Sequence, residues 1–202
     1  MLTRHLRQRG DTLIEVLFAI TIFSLIMVGA VILMNQGSAA GQRALEISLV
    51  RQQIDGQAET LRFLHDSYLA SPQDASLDTT TAAGRWRDLL SKPFISTSGA
   101  SPLATTGNTC PTPPPTRSFV MNPATTSFTS DPAVLIPAVT HARVGKDDGG
   151  TFRAYGMWIE AVESPKVDSV GFIDFHIRAC WSGPGSEVPM TLGTIVRLYD
   201  KS

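Results

Sequence analysis

Residues 16–34 read VLFAITIFSLIMVGAVILM, nineteen positions without a charge. At ~1.5 Å per residue, a helix of that length covers most of a hydrocarbon layer of roughly 30 Å. Past Gly37 the pattern changes from uniformly apolar to periodic. Ile47, Val50, Ile54, Ala58, Leu61, Leu64 and Tyr68 recur at steps of three or four, while Glu46, Arg51, Asp55, Glu59, Arg62 and Asp66 occupy other faces. The pattern predicts one helix over residues 12–68, stopping near Ala70 because Ser71-Pro72 disfavours its continuation. Unbroken, those 57 residues would span ~85 Å. Gly37, Gly41 and Gly56 are the points at which it could bend.

The periodicity then lapses. Ten of the thirteen prolines fall in residues 71–137, and between Ile95 and Asp131 the charges are Arg117 and Asp131 alone. Such a stretch reads as an irregular loop region over 71–138, interrupted by a short helix over 85–90. From residue 139 the period becomes two. Residues 139–144 and 151–162 flank Gly145-Lys146-Asp147-Asp148-Gly149-Gly150, a hairpin signal. The clearest strand places Ile173, Phe175, Ile177, Ala179 and Trp181 on one face, with Asp174, His176, Arg178 and Cys180 on the other. A last strand aligns Leu192, Thr194, Val196 and Leu198. An antiparallel sheet over 139–202 with one apolar side would cover the helix stripe, giving an α+β fold.

Composition adds an asymmetry. The 202 residues carry a formal net charge of −1, with 17% charged side chains and a mean hydropathy of +0.05. That excludes a generically basic nucleic-acid binder, a disordered polyelectrolyte and a multi-span membrane protein. The first ten residues hold Arg4, Arg7 and Arg9 and no acid, so they contribute +3 and leave −4 for the rest. Basic residues ahead of the apolar run, with none after it before Arg43, predict a cytoplasmic N-terminus and the bulk of the chain outside. A mature chain of net −4 gives no expectation of direct nucleic-acid contact by its head.

Glu15 needs an explanation, because a carboxylate carried toward a bilayer centre costs on the order of 2 to 3 kcal/mol. One explanation is local: Thr12-Leu13-Ile14-Glu15 fits a capping box, in which Glu15 returns to a free backbone donor. The other uses the whole string RQRGDTLIEVLFAITIF. Gly10 closing a basic leader, then one variable residue, then Thr12, Leu13, Ile14, Glu15 and Val16 entering an apolar helix, resembles the processing site of type IV prepilins and pseudopilins. The resemblance implies cleavage by a membrane-embedded prepilin peptidase between Gly10 and Asp11, N-methylation of Asp11, and assembly through the helix. Glu15 would then face the new α-amino group of a neighbour's Asp11, since a buried pair costs far less than a buried lone charge. Asp11 replaces the Phe that most often opens the mature chain, and no proline precedes Pro72. A different processing route is an ordinary secretory signal, with Ser38-Ala39-Ala40 directing cleavage before Gly41.

Catalytic signatures are sparse. His5, His65, His141 and His176 lack zinc-site spacing, and no Walker, dinucleotide or G-x-S-x-G motif occurs. His176 and Cys180 lie ~13 Å apart along one strand, too far to share a proton. Asp147-Asp148-Gly149 lacks the calcium-loop spacing and reads as a turn. The two cysteines, Cys110 and Cys180, are read either as a disulfide stapling the proline-rich loop over the outer surface of the sheet or as separate thiols; pilins commonly carry such a bond nearer the C-terminus.

The expected organisation is a basic leader (1–10), a membrane and fibre-core helix (11–35), its amphipathic continuation (36–70), the loop region (71–138) and the sheet of a globular head (139–202). The expected function is a structural subunit of a type IV pilus or pilus-like filament, with no enzymatic activity, metal or cofactor. Its partners would be other pilin subunits, prepilin peptidase, an assembly platform protein and the membrane through residues 12–35. Its location would change from single-pass membrane precursor to extracellular filament. The alternatives are a pseudopilin of a type II secretion or DNA-uptake system, and a single-span surface protein whose head binds a ligand without polymerising.

Overall fold

A computed structural model of the chain describes residues 11–71, 78–93, 95–96, 109–164 and 170–201, with the side chains at 11, 12, 96, 170, 200 and 201 left aside. The leader 1–10, including Gly10, lies outside the described residues, as do 97–108 of the Ser/Thr-rich stretch. The fold is α+β. One helix, α1 (Asp11–Ala70), has the limits the periodicity predicts. The chain divides into two compact units, Met1–Gln42 and Arg43–Ser202. In the first, the described residues are helix throughout.

In the second unit the stripe on residues 43–70 is buried as its spacing requires. Val50, Ile54, Ala58, Leu61 and Leu64 join one core, and Ile47 and Tyr68 pack at its margins. The next element, α2 (Ala82–Ser91), starts earlier than expected because Thr81 caps it: its hydroxyl accepts from the Gly84 N–H at 3.1 Å. Trp86 and Leu89 of α2 enter the same core.

Four short strands occupy the stretch read as loop: β1 (Ile95–Ser96), β2 (Val120–Asn122), β3 (Ser127–Thr129) and β4 (Leu135–Ile136). At two or three residues each, they are too short to set up an alternation that sequence can display. Further on come β5 (Arg143–Lys146), β6 (Phe152–Tyr155), β7 (Met157–Glu163), β8 (Val170–Trp181) and β9 (Met190–Lys201). The principal sheet has the order β1-β7-β8-β9. Its three long strands are antiparallel, but β1 runs parallel to β7, so the sheet is not purely antiparallel. Ile173, Phe175, Ile177, Ala179 and Trp181 all face the helix core; on β9, Val196 and Leu198 are buried while Thr194 is exposed.

Two expectations about this sheet are corrected. The first concerns residues 151–162, which form two strands in two sheets. Gly156 separates them at φ +62°, and a Cβ there would lie 2.3 Å from the Cys180 carbonyl oxygen. The left-handed conformation and the close approach both require glycine, and the bend sends β6 to a small sheet of order β4-β6-β5. The hairpin turn is correspondingly tighter: Gly145 and Lys146 belong to β5, and Asp147 closes the turn by accepting from the Gly149 and Thr151 N–H groups. The second correction concerns the outer face, which is not simply polar. Val120, Leu135, Ala154, Trp158 and Cys180 form a second buried cluster there. Beside it, Glu160 and Arg178 are each 6% exposed and paired at 3.2 Å, and the Trp158 indole N–H donates to Glu160 at 3.1 Å.

Candidate functional site

The first unit holds a surface that the chain itself leaves uncovered. Every large apolar side chain from Leu13 to Met34 is more than half exposed, Leu25 at 74%. The helix contains a segment long and apolar enough to cross a membrane, none of it buried. Its hydroxyls do not spoil that surface. Thr21 Oγ1 donates to the Leu17 and Phe18 carbonyls and Ser24 Oγ to Ile20, at 2.8 to 3.0 Å, so both are satisfied within the helix. Glu15 is different. It is exposed, and among the described residues no hydrogen bond or ion pair engages its carboxylate. Between Asp11 and Arg43 it is the one charged side chain.

Of the residues singled out in the sequence, Gly10 lies outside the described residues. Asp11 opens α1, but its side chain, like that of Thr12, is not described, so the capping-box contact lies outside the description as well. Glu15 sits in the first turns of the helix, among exposed Leu13, Ile14 and Val16. Cys110 and Cys180 lie far from it in sequence and form a disulfide with a Cα–Cα distance of 5.7 Å. The bond ties the proline-rich segment to β8 beside the second cluster. His176 faces Glu160 on β7 and Ile195 on β9 across the sheet. Its pKa is lowered, first by burial and then by the nearby Arg178 charge.

Several residues that seat the helix in the second unit were not legible as such. Gln57 is fully buried on the apolar stripe. Its amide donates to the Met121 carbonyl at 2.8 Å and accepts from the Met121 N–H at 2.9 Å, satisfying a strand backbone from a helix. Its position three after Ile54 and four before Leu61 was the available signal. Glu46, placed off the apolar stripe, accepts from the Trp181 indole N–H at 3.0 Å. Arg43 donates to the Pro184 and Gly185 carbonyls at 3.0 and 2.7 Å, binding the helix to the β8–β9 loop. His65 Nε2 lies 3.0 Å from the Tyr199 carbonyl oxygen and its ring meets Trp86 edge-on.

Some of the surface charge in this unit is paired within it. The Arg197 guanidinium makes two bonds to Asp174, at 2.7 and 2.8 Å, and lies 3.8 Å over the Phe172 ring. The pair holds the Asp174 carboxyl below its ordinary pKa and raises that of Arg197. Asp147 is likewise lowered, chiefly by the Thr151 N–H, so its carboxylate serves the turn.

Comparison with known families locates the functional signature at this exposed helix. The model of the prokaryotic N-terminal methylation motif matches residues 5–31. The chain therefore carries the signature of type IV pilins and pseudopilins, which implies processing by prepilin peptidase and assembly with other pilin subunits. Searches of curated proteins and of solved structures gave no match to the chain.

Proposed function

We propose that the chain is a structural subunit of a type IV pilus or pilus-like filament, and that it has no catalytic role. The observation that carries the reading is the coincidence, inside the methylation motif, of an exposed apolar helix with Glu15, the one charged side chain between Asp11 and Arg43. Cleavage after Gly10 would create an α-amino group on Asp11, which N-methylation would modify. In the membrane, the precursor would stand with its N-terminus in the cytoplasm, as the basic leader favours. An assembly platform protein would then transfer the helix from lipid into the fibre core, where neighbouring helices replace lipid around the same side chains. Glu15 would meet the Asp11 amine of an adjacent subunit and set axial register, because only one relative position leaves neither charge alone.

Glu15→Ala tests this directly. The variant should disappear from the sheared-fibre fraction while its head stays folded, with both native cysteines still protected from thiol labelling. Normal incorporation of the variant into fibres would sink the mechanism. In parallel, mass spectrometry of the mature wild-type protein should find Asp11 at its N-terminus; a chain beginning at Gly41 would replace this reading with secretion.

A further inference from the structure

The small sheet turns Val144 and Ala154 into the second buried cluster. Across β5 and β6, Arg143 pairs with Tyr155 and Gly145 with Arg153. Alternation therefore puts these four residues on the opposite, outer face. There Arg143 and Tyr155, with Lys146 at the strand's end, line a cleft of about 300 Å³, together with Asp147 and Asp148 of the turn and His141 ahead of β5. The Arg143 guanidinium lies 4.9 Å from the centre of the Tyr155 ring, an attraction that restricts where its charge can point. Between Arg143 and Lys146 the strand is bare. A Cβ at Gly145 would meet nothing within 4 Å.

The charges in this cleft are not matched as several others in the unit are. Arg153 pairs with Asp147, Lys92 with Asp88 and Arg197 with Asp174. Asp147 is thereby withdrawn from its neighbour Lys146, since its carboxylate also accepts from the Gly149 and Thr151 N–H groups. Among the described residues no ion pair or hydrogen bond engages the side chains of Arg143, Lys146 or Asp148, and all three are exposed. Two cations and one acid thus stand unpaired around a hollow, in a mature chain of net −4. A bare inorganic anion would use the cations and be repelled by Asp148, and the excess of one positive charge calls for a monoanion over a zwitterion. A sugar bearing an acid group uses all three: the oxyanion takes the cations, and hydroxyls donate to Asp148. Arg143 and Lys146 are three positions apart, about 10 Å along the strand, a gap that a hydroxylated ring fills. We infer that this cleft binds an acidic sugar, with Arg143 and Lys146 on its acid group and Asp148 on its hydroxyls. The cleft lies wholly in the second unit, so this binding is independent of the helix-mediated assembly proposed above.

Ligand-observed NMR on the full-length chain, held in a polyoxyethylene detergent that carries no sugar head group, tests the assignment. The probes are glucuronate and glucose phosphate, with glucose, acetate and glycine as controls. At least one sugar acid should bind with a Kd of about 1 mM, and the tighter of the two identifies the acid group. Glucose, acetate and glycine should each bind at least ~10-fold more weakly. Arg143→Gln and Lys146→Gln should each cost the sugar acid about tenfold. Gly145→Glu, which projects a carboxylate into the open space, should abolish its binding. Asp148→Asn should narrow the preference for the sugar acid over acetate, a change that unfolding cannot mimic. No binding of either sugar acid in the millimolar range, acetate or glycine bound as tightly, or binding that survives both Gly145→Glu and the combined Arg143→Gln and Lys146→Gln substitutions would each overturn the assignment.

Discussion

The uniformly apolar stretch of α1 and the striped stretch that follows it meet opposite fates. Residues 13–34 are apolar on every face and exposed on every face, whereas residues 47–68 are apolar along one stripe and buried along it. What a helix can bury within its own chain depends on how its apolar residues are distributed around the axis. A stripe matches one sheet face. A cylinder needs surroundings on all sides, which only lipid or several neighbouring helices supply. The same contrast explains the polar residues: Gln57 and Glu46 have partners in the second unit, while Glu15 has none among the described residues.

The sharpest test of that contrast is a pair of identical truncations. Leu61→Ala should destabilise the second unit by ~2–5 kcal/mol, since Leu61 is wholly buried. Leu25→Ala should leave that unit's stability unchanged. Denaturant unfolding in detergent, followed by tryptophan fluorescence, reads the second unit alone, because Trp86, Trp158 and Trp181 all lie there. Equal effects would break the comparison. Next in size, the Cys110–Cys180 bond closes a separation of 70 residues, and the chain-entropy account gives about 4 kcal/mol for a closure of that order. The double Ser variant should lower the midpoint of the same fluorescence transition while the circular dichroism of the membrane-embedded helix persists.

The smallest effect is electrostatic. Asp174 has its folded pKa depressed below 3.8 by Arg197, so the pair's contribution is complete above that unfolded value and is lost as pH falls through the lower, folded one. Because Arg197 is half-exposed, the contribution should be about 0.2–1 kcal/mol. Asp174→Asn should flatten the stability profile below about pH 4 and lower the plateau above it. An unchanged acid limb would show that the pair does not couple to folding.

Much of the fold was legible where a repeat was long enough to see. The amphipathic part of α1 and the strand β8 each display their period several times over, so the end of the helix near Ala70 and the inward faces of both elements followed from sequence. The short strands β1 to β4 offer no period, and their pairing depends on partners distant in the chain. The bend at Gly156 was hidden for another reason. Glycine in a strand-like run is ambiguous until the carbonyl of Cys180, which forbids a side chain there, is in place. The roles of Gln57 and Glu46 were not legible because in each case the partner is a group on another element.

The sequence by itself determined the processing motif, the exposed apolar helix and the stripe that follows it. Those are local properties, written in spacings of a few residues. Tertiary structure alone decided which polar groups would be paired, that the outer sheet face would carry a second core, and that β9 would be left as the open edge. Each of these depends on contacts between residues far apart in the chain, and the free energy of such a contact belongs to both partners at once.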